Sequence, residues 1–104
     1  MNIHEYEESV IATSNYQRSN ESLFIVTVAL LGELGEYANK VKKASFKKTL
    51  DNALVIDDLK SELGDVLWYL TELCHQHDLS LDDVARANAD KVTNRKQKGL
   101  TYNQ

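Results

Sequence analysis

Proline is absent from this chain of 104 residues, and glycine occurs only four times. A chain with so few backbone interruptions, 42% hydrophobic and 27% charged, reads as helical. Cysteine is scarce as well. The single Cys74 excludes an intrachain disulfide and gives no sign of an oxidising compartment, and a small buried apolar side chain is its simplest reading. A basic surplus is lacking: the net charge of -4 and pI near 5.3 argue against a general nucleic-acid binder. No apolar run approaches the roughly 20 residues that span a membrane. The opening Met1-Asn-Ile-His-Glu-Tyr-Glu-Glu8 lacks the basic-then-apolar order of a signal peptide. These absences lead to the expectation of one soluble, cytoplasmic domain over residues 1–104. Such a length suffices for a single core but is short for covering long apolar helices unaided.

Periodicity divides the chain into four strong helical segments. Ile3, Tyr6, Val10 and Thr13 recur at helical spacing, predicting a first helix from 3 to about 16. A polar link follows, where Ser19-Asn-Glu-Ser22 offers a cap at either serine or at Asn20. From about Leu23 to Lys43 runs the longest segment, with Leu23, Val26, Leu30, Leu34, Tyr37 and Val41 on one stripe and Lys40, Lys42 and Lys43 in a basic last turn. Residues 44–57 fit either a short fifth helix or an ordered connection. The next helix is expected from Asp57 or Asp58, acids favourable at its start, to about His77. Its Leu59, Leu63, Val66, Leu67, Leu70 and Leu73 form one face, while Trp68 lies well away from it, as Val28 and Leu31 lie off the stripe of the helix before. Apolar residues on two sides of a helix in so small a chain predict burial between subunits. Ser80 with Asp83 resembles a capping box opening a last helix, from Leu81 to about Lys96. The tail, 100–104, is expected to be poorly ordered.

Two short acidic motifs stand out, Glu33-Leu-Gly-Glu36 and Glu62-Leu-Gly-Asp65. At about 100° per residue, acids three apart share a helical face within about 60° of each other. Neither pair has a basic residue inside it. Like charges at the edge of an apolar face repel and lose hydration, and a divalent cation relieves both costs. Gly32, Gly35 and Gly64 each cost roughly 1 kcal/mol of helix propensity, which points to a close approach of helices or ligand. Antiparallel packing of the two helices would converge four carboxylates, an all-oxygen set suited to Mg²⁺ or Mn²⁺ rather than zinc.

Glu33-x-x-Glu36, followed after 25 residues by Glu62-Leu-Gly-Asp-Val-Leu-Trp-Tyr69, strongly resembles the MazG-like family of all-α nucleoside triphosphate pyrophosphohydrolases. The stretch from Tyr6 to Thr13 and Asn88-x-x-Lys91-x-x-x-Arg95 extend the resemblance over most of the chain. It implies an all-α bundle of four to five helices working as a homo-oligomer, a dimer or tetramer. It further implies that Glu33, Glu36, Glu62 and Asp65 are the metal ligands and catalytic carboxylates, with Mg²⁺ as cofactor and Mn²⁺ as a substitute. The implied reaction takes a nucleoside triphosphate to its monophosphate and pyrophosphate, a nucleotide-pool housecleaning activity with neither nucleic acid nor membrane as partner. Asn88, Lys91 and Arg95 would contact the substrate. Their spacing puts them on one helical face, where the lysine and arginine can bind phosphate oxygens and the asparagine can orient them.

Other signals are weaker. Lys42, Lys43, Lys47 and Lys48 read as a solvated basic patch. Glu72-Leu-Cys-His75 has the Glu-x-x-His spacing of di-iron bundles, but in one copy only. Cys74, His75 and His77 lack a second cluster to complete a zinc tetrahedron. Three function classes therefore stay in view: the pyrophosphohydrolase, a di-metal oxidase, and a catalytically silent helical module assembling through the Trp68 face. The intact set of four acids favours the first. Tyr6, Tyr16 and Trp68 are placed either to stack on a base or to pack.

Overall fold

A computed structural model describes residues 1–99, so the expectation for 100–104 lies outside the described residues. The described chain is all-α: α1 is Ile3–Thr13, α2 Asn20–Lys47, α3 Ala53–Gln76 and α4 Leu81–Gln97. Each helix starts behind a side chain that accepts a hydrogen bond from an otherwise unpaired backbone N–H. Asn2 accepts from Glu5, Ser19 from Ser22, Asn52 from Leu54 and Val55, and Ser80 from Asp83. Asn52 moves the start of α3 ahead of the predicted Asp57 or Asp58, because its cap captures a turn of helix that charge preference alone did not reveal. The ambiguous segment 44–57 thus resolves into the end of α2, a short link at 48–52 and the start of α3. Lys48 closes α2 in the left-handed conformation, φ 56 and ψ 42, with its N–H on the carbonyls of Ala44 and Ser45.

The short link makes α2 and α3 an antiparallel hairpin, the dominant packing in the fold. α1 and α4 pack on α3 and on each other, and neither packs on α2. Val10, Val26, Ala44, Cys74 and Leu81 are the buried apolar residues among those described, so the core is thin. Burial pushes the Cys74 thiol above its usual range, as expected for a packing residue, with Glu7 adding to the shift.

The predicted apolar face of α3 is covered over only part of its width. Leu59, Val66 and Leu73 are half-buried, but Leu63 is 47% exposed, and Leu67 and Leu70 are exposed too. Trp68, expected as surplus surface, is half-buried inside the subunit. Its Nε1 donates to Thr13 Oγ1 at 3.0 Å, and its ring lies edge-on to Tyr69 at 5.0 Å and near Tyr16 at 6.4 Å. The end of α1 and the following link fold over it. Val28 and Leu31, off the main stripe of α2, are exposed in one subunit, together with Phe24, which is 70% exposed. The glycine reading also needs correction. A Cβ added at Gly32, Gly35 or Gly64 would meet nothing within 4 Å, so no close helix approach within this chain requires them.

The deepest part of α3 is polar. Glu72 is 1% exposed, and its Oε1 accepts from Gln76 Nε2 at 3.1 Å. Gln76 Nε2 also donates to the Gln17 carbonyl, and Gln76 Oε1 accepts from the Ser19 N–H, both at 3.4 Å. One buried amide therefore fastens the 14–19 link to α3 and fixes where α2 begins. Gln76→Leu removes these ties and leaves both Glu72 oxygens buried without a partner. Unsatisfied buried groups of this kind cost about 1–3 kcal/mol, and we expect a loss of about 2 kcal/mol in urea unfolding. An unchanged midpoint would refute the tether.

Candidate metal centre

On α2, Glu33, Glu36 and Lys40 follow one another at helical spacing, and on α3 Asp58, Glu62, Asp65 and Tyr69 do the same. The antiparallel register of the hairpin turns these two faces toward each other. Carboxylate oxygens of Glu33, Glu62 and Asp65 lie within 4.8 Å of one another. Glu62 is buried, Glu33 half-buried and Asp65 exposed, so the cluster opens to solvent on one side. Glu33 Oε2 and Glu62 Oε2 are buried and have no hydrogen-bond partner. Such oxygens are desolvated without compensation, a state that a cation relieves.

Glu36 is exposed and lies outside this trio, yet it stands beside Glu33. Burial raises the Glu33 carboxyl above the usual range, and the neighbouring charges of Glu36, Asp65 and Glu62 raise it further. The sequence offered no counter-charge within either acidic motif, but the structure supplies one from a turn farther along α2. Lys40 Nζ lies 2.7 Å from Glu62 Oε1 and 2.8 Å from Asp58 Oδ1. These bonds, to Asp58 first and Glu62 second, raise the affinity of the ammonium for its proton. Lys40 was legible only as part of a basic helix end. Its place seven residues after Glu33, on the same face, was the signal available.

Tyrosines border the acids. Burial raises the Tyr69 hydroxyl first, then its bonding to Tyr16, then the charges of Glu33 and Asp65; burial followed by the Asp65 charge raises Tyr6. The residues predicted to bind substrate lie elsewhere. Asn88 and Lys91 line a cavity of about 550 Å³ with Leu79, Asp83, Val84 and Ala87, and no acid of the trio borders it. Arg95 is half-buried farther along α4, a helix that does not pack on α2. One subunit therefore assembles the acids, and the cavity beside Asn88 and Lys91 is separate from them. Glu72 is bonded to Gln76 and His75 lines a different recess beside Glu7 and Arg18, so the Glu-x-x-His spacing builds no second centre. Among the described residues, the trio is the one grouping of acidic, histidine or cysteine side chains able to hold an ion. Three carboxylates, two of them with unpartnered buried oxygens, are hard donors that fit Mg²⁺ or Mn²⁺.

Comparison with known proteins places the chain in a family. The profile of the MazG nucleotide pyrophosphohydrolase domain matches residues 21–100, which takes in α2, α3 and α4 and leaves α1 ahead of it. The chain is also similar to the Gene 37 protein of Mycobacterium phage L5, 45% identical over 86 residues, covering 79% of this chain and 73% of that one. No solved structure matches it.

The raised Glu33 carboxyl has a defined effect on stability. Between its unfolded and folded pKa values the native state binds the extra proton, so stability falls as pH rises through that interval and the penalty is complete above it. In chelator, Glu33→Gln should therefore unfold at a higher temperature than the parent near neutral pH, with a smaller decline as pH rises from the ordinary glutamate range. A variant less stable than the parent near neutral pH would contradict the crowding of charge at Glu33.

Proposed function

The chain belongs to the MazG nucleotide pyrophosphohydrolase family, and from that premise we propose that it hydrolyses nucleoside triphosphates to nucleoside monophosphates and pyrophosphate with Mg²⁺. The observation that carries this reading is the convergence of Glu33, Glu62 and Asp65 within 4.8 Å, two of them with buried oxygens lacking a partner. These three would hold the ion. When bound, it supplies Lewis-acid polarisation of phosphate oxygens and a lowered pKa for water. Glu36, exposed beside Glu33, is the carboxylate we assign to accept the proton of the attacking water. A bond forms between the water oxygen and the α-phosphorus, the bond from that phosphorus to the α–β bridging oxygen breaks, and pyrophosphate leaves.

Asn88, Lys91 and Arg95 give α4 a face suited to phosphate oxygens in the assembled enzyme. Assembly is supported by the apolar surface that one copy leaves open, Phe24, Val28 and Leu31 on α2 and Leu63, Leu67 and Leu70 on α3. A second copy of the chain would cover these residues in a homodimer or tetramer, and the folded state would then gain stability with concentration. Housecleaning of the nucleotide pool is the role that fits a triphosphate substrate.

Chromatography of the products from a panel of nucleoside triphosphates, with Mg²⁺ and with Mn²⁺, tests the reaction. Monophosphate and pyrophosphate are expected in equal amounts; diphosphate and orthophosphate would overturn it. Glu36→Gln and Glu62→Gln should each lower turnover by about 10²-fold or more while the helical circular dichroism persists. Full activity in excess chelator would remove the metal from the reading. Sedimentation at micromolar concentration should give a dimer or tetramer, and a stable, active monomer would overturn the assembly.

A further inference from the structure

We infer that Lys40 is a resident counter-ion of the metal centre, whose charge on Glu62 lowers the affinity for a divalent ion and which Asp58 draws toward the edge of the cluster. The inference rests on the reading of the acid cluster as a metal centre. Its starting point is that Glu62 serves two claims at once. Toward Glu33 and Asp65 it offers an oxygen to the carboxylate trio. Toward the hairpin link it accepts Lys40 Nζ on Oε1 at 2.7 Å, while its Oε2 is buried and unpartnered. Lys40 thus neutralises one acid of the cluster from its edge and leaves the Glu33 oxygen uncompensated. That is a partial substitute for a doubly charged ion.

Asp58 gives the lysine a second partner. It lies one turn before Glu62 on α3, and its Oδ1 already holds the same ammonium at 2.8 Å. Its side chain is 53% exposed against 12% for Glu62, so a lysine held by Asp58 lies on the solvent side of the cluster. The two bonds therefore differ in kind. The bond to Glu62 puts a positive charge on a carboxylate of the trio, whereas the bond to Asp58 holds that charge outside it. Lys40 also repels an arriving cation. For both reasons its charge sets metal affinity downward, and the metal-free protein gains a relief of carboxylate repulsion in return.

Calorimetric titration of Mn²⁺ into the full chain, paired with thermal unfolding in chelator and in Mn²⁺, tests this without an activity assay. Lys40→Met keeps an unbranched apolar stem and removes the charge. Removing a unit charge at ion-pair distance should tighten Mn²⁺ binding by about tenfold, lower the melting temperature in chelator and enlarge the rise produced by Mn²⁺. Lys40→Arg should bind Mn²⁺ nearly as the parent does. Asp58→Asn leaves Lys40 with Glu62 alone and should weaken binding, while Asp57→Asn, which removes an equal charge from a residue not paired with Lys40, should not. The Asp58 and Asp57 pair decides the matter if Lys40→Met does not fold in chelator. If Lys40→Met lowers the melting temperature equally with and without Mn²⁺ and leaves affinity unchanged, Lys40 is only a strut between helices and the inference falls while the metal centre stands. Asp58→Asn binding no more weakly than Asp57→Asn also overturns it. If the parent binds no divalent ion, the metal centre and the inference fall together.

Discussion

Repulsion between carboxylates gathered across the α2–α3 hairpin is the constraint on which the rest of the structure depends. Glu33, Glu62 and Asp65 would separate if the two helices were free, because each gains hydration and loses repulsion by moving apart. Several features oppose that separation. The link 48–52 is too short to let α2 and α3 drift, the left-handed turn at Lys48 closes one helix, and Asn52 opens the next. Lys40 adds a direct clasp across the pair. The hairpin therefore stores unfavourable charge in a fixed geometry, which is a preorganised state for binding a cation.

That arrangement explains how little apolar residues contribute within one subunit. Glu62, Thr71, Glu72 and Gln76 are all buried on α3, so the hairpin gives buried positions to polar chemistry that a small domain would ordinarily use for hydrophobic packing. Leu63, Leu67 and Leu70, by contrast, lie on surface that the subunit leaves open. α1 and α4 repair part of the deficit. α1 buries Val10 and reaches Trp68 through Thr13, and Glu7 Oε2 accepts the Leu81 N–H at 2.6 Å, joining the two helices where α4 begins.

Acids spaced by one helical turn were legible in the sequence because their relation is local: helix geometry alone puts Glu33 with Glu36 and Glu62 with Asp65. Local signals also placed Ser19 among the candidate caps, Ser80 as the cap of α4, and Val28 and Leu31 off the main stripe of α2. Lys40 is not legible from either motif alone, because it stands on the part of the α2 face that continues beyond Glu36. Trp68 was misread because a helical projection shows direction but not that the end of α1 folds over that direction. The segment 44–57 has no strong periodicity, and its structure hinges on one asparagine side chain. Glu72 and Gln76 form a buried polar pair specified by the tertiary contact with the 14–19 link, which no spacing along α3 encodes. For α4, spacing correctly put Asn88, Lys91 and Arg95 on one helix but could not show that the helix leaves α2 untouched.

Anomalous diffraction from crystals of the full chain equilibrated with Mn²⁺ tests most directly whether the hairpin's repulsion is resolved by a metal. The account predicts an anomalous peak between α2 and α3 with carboxylate oxygens of Glu33, Glu62 and Asp65 as its ligands. A protein that cleaves nucleoside triphosphates with Mn²⁺ bound elsewhere, or with those three carboxylates unligated at saturating Mn²⁺, would contradict it.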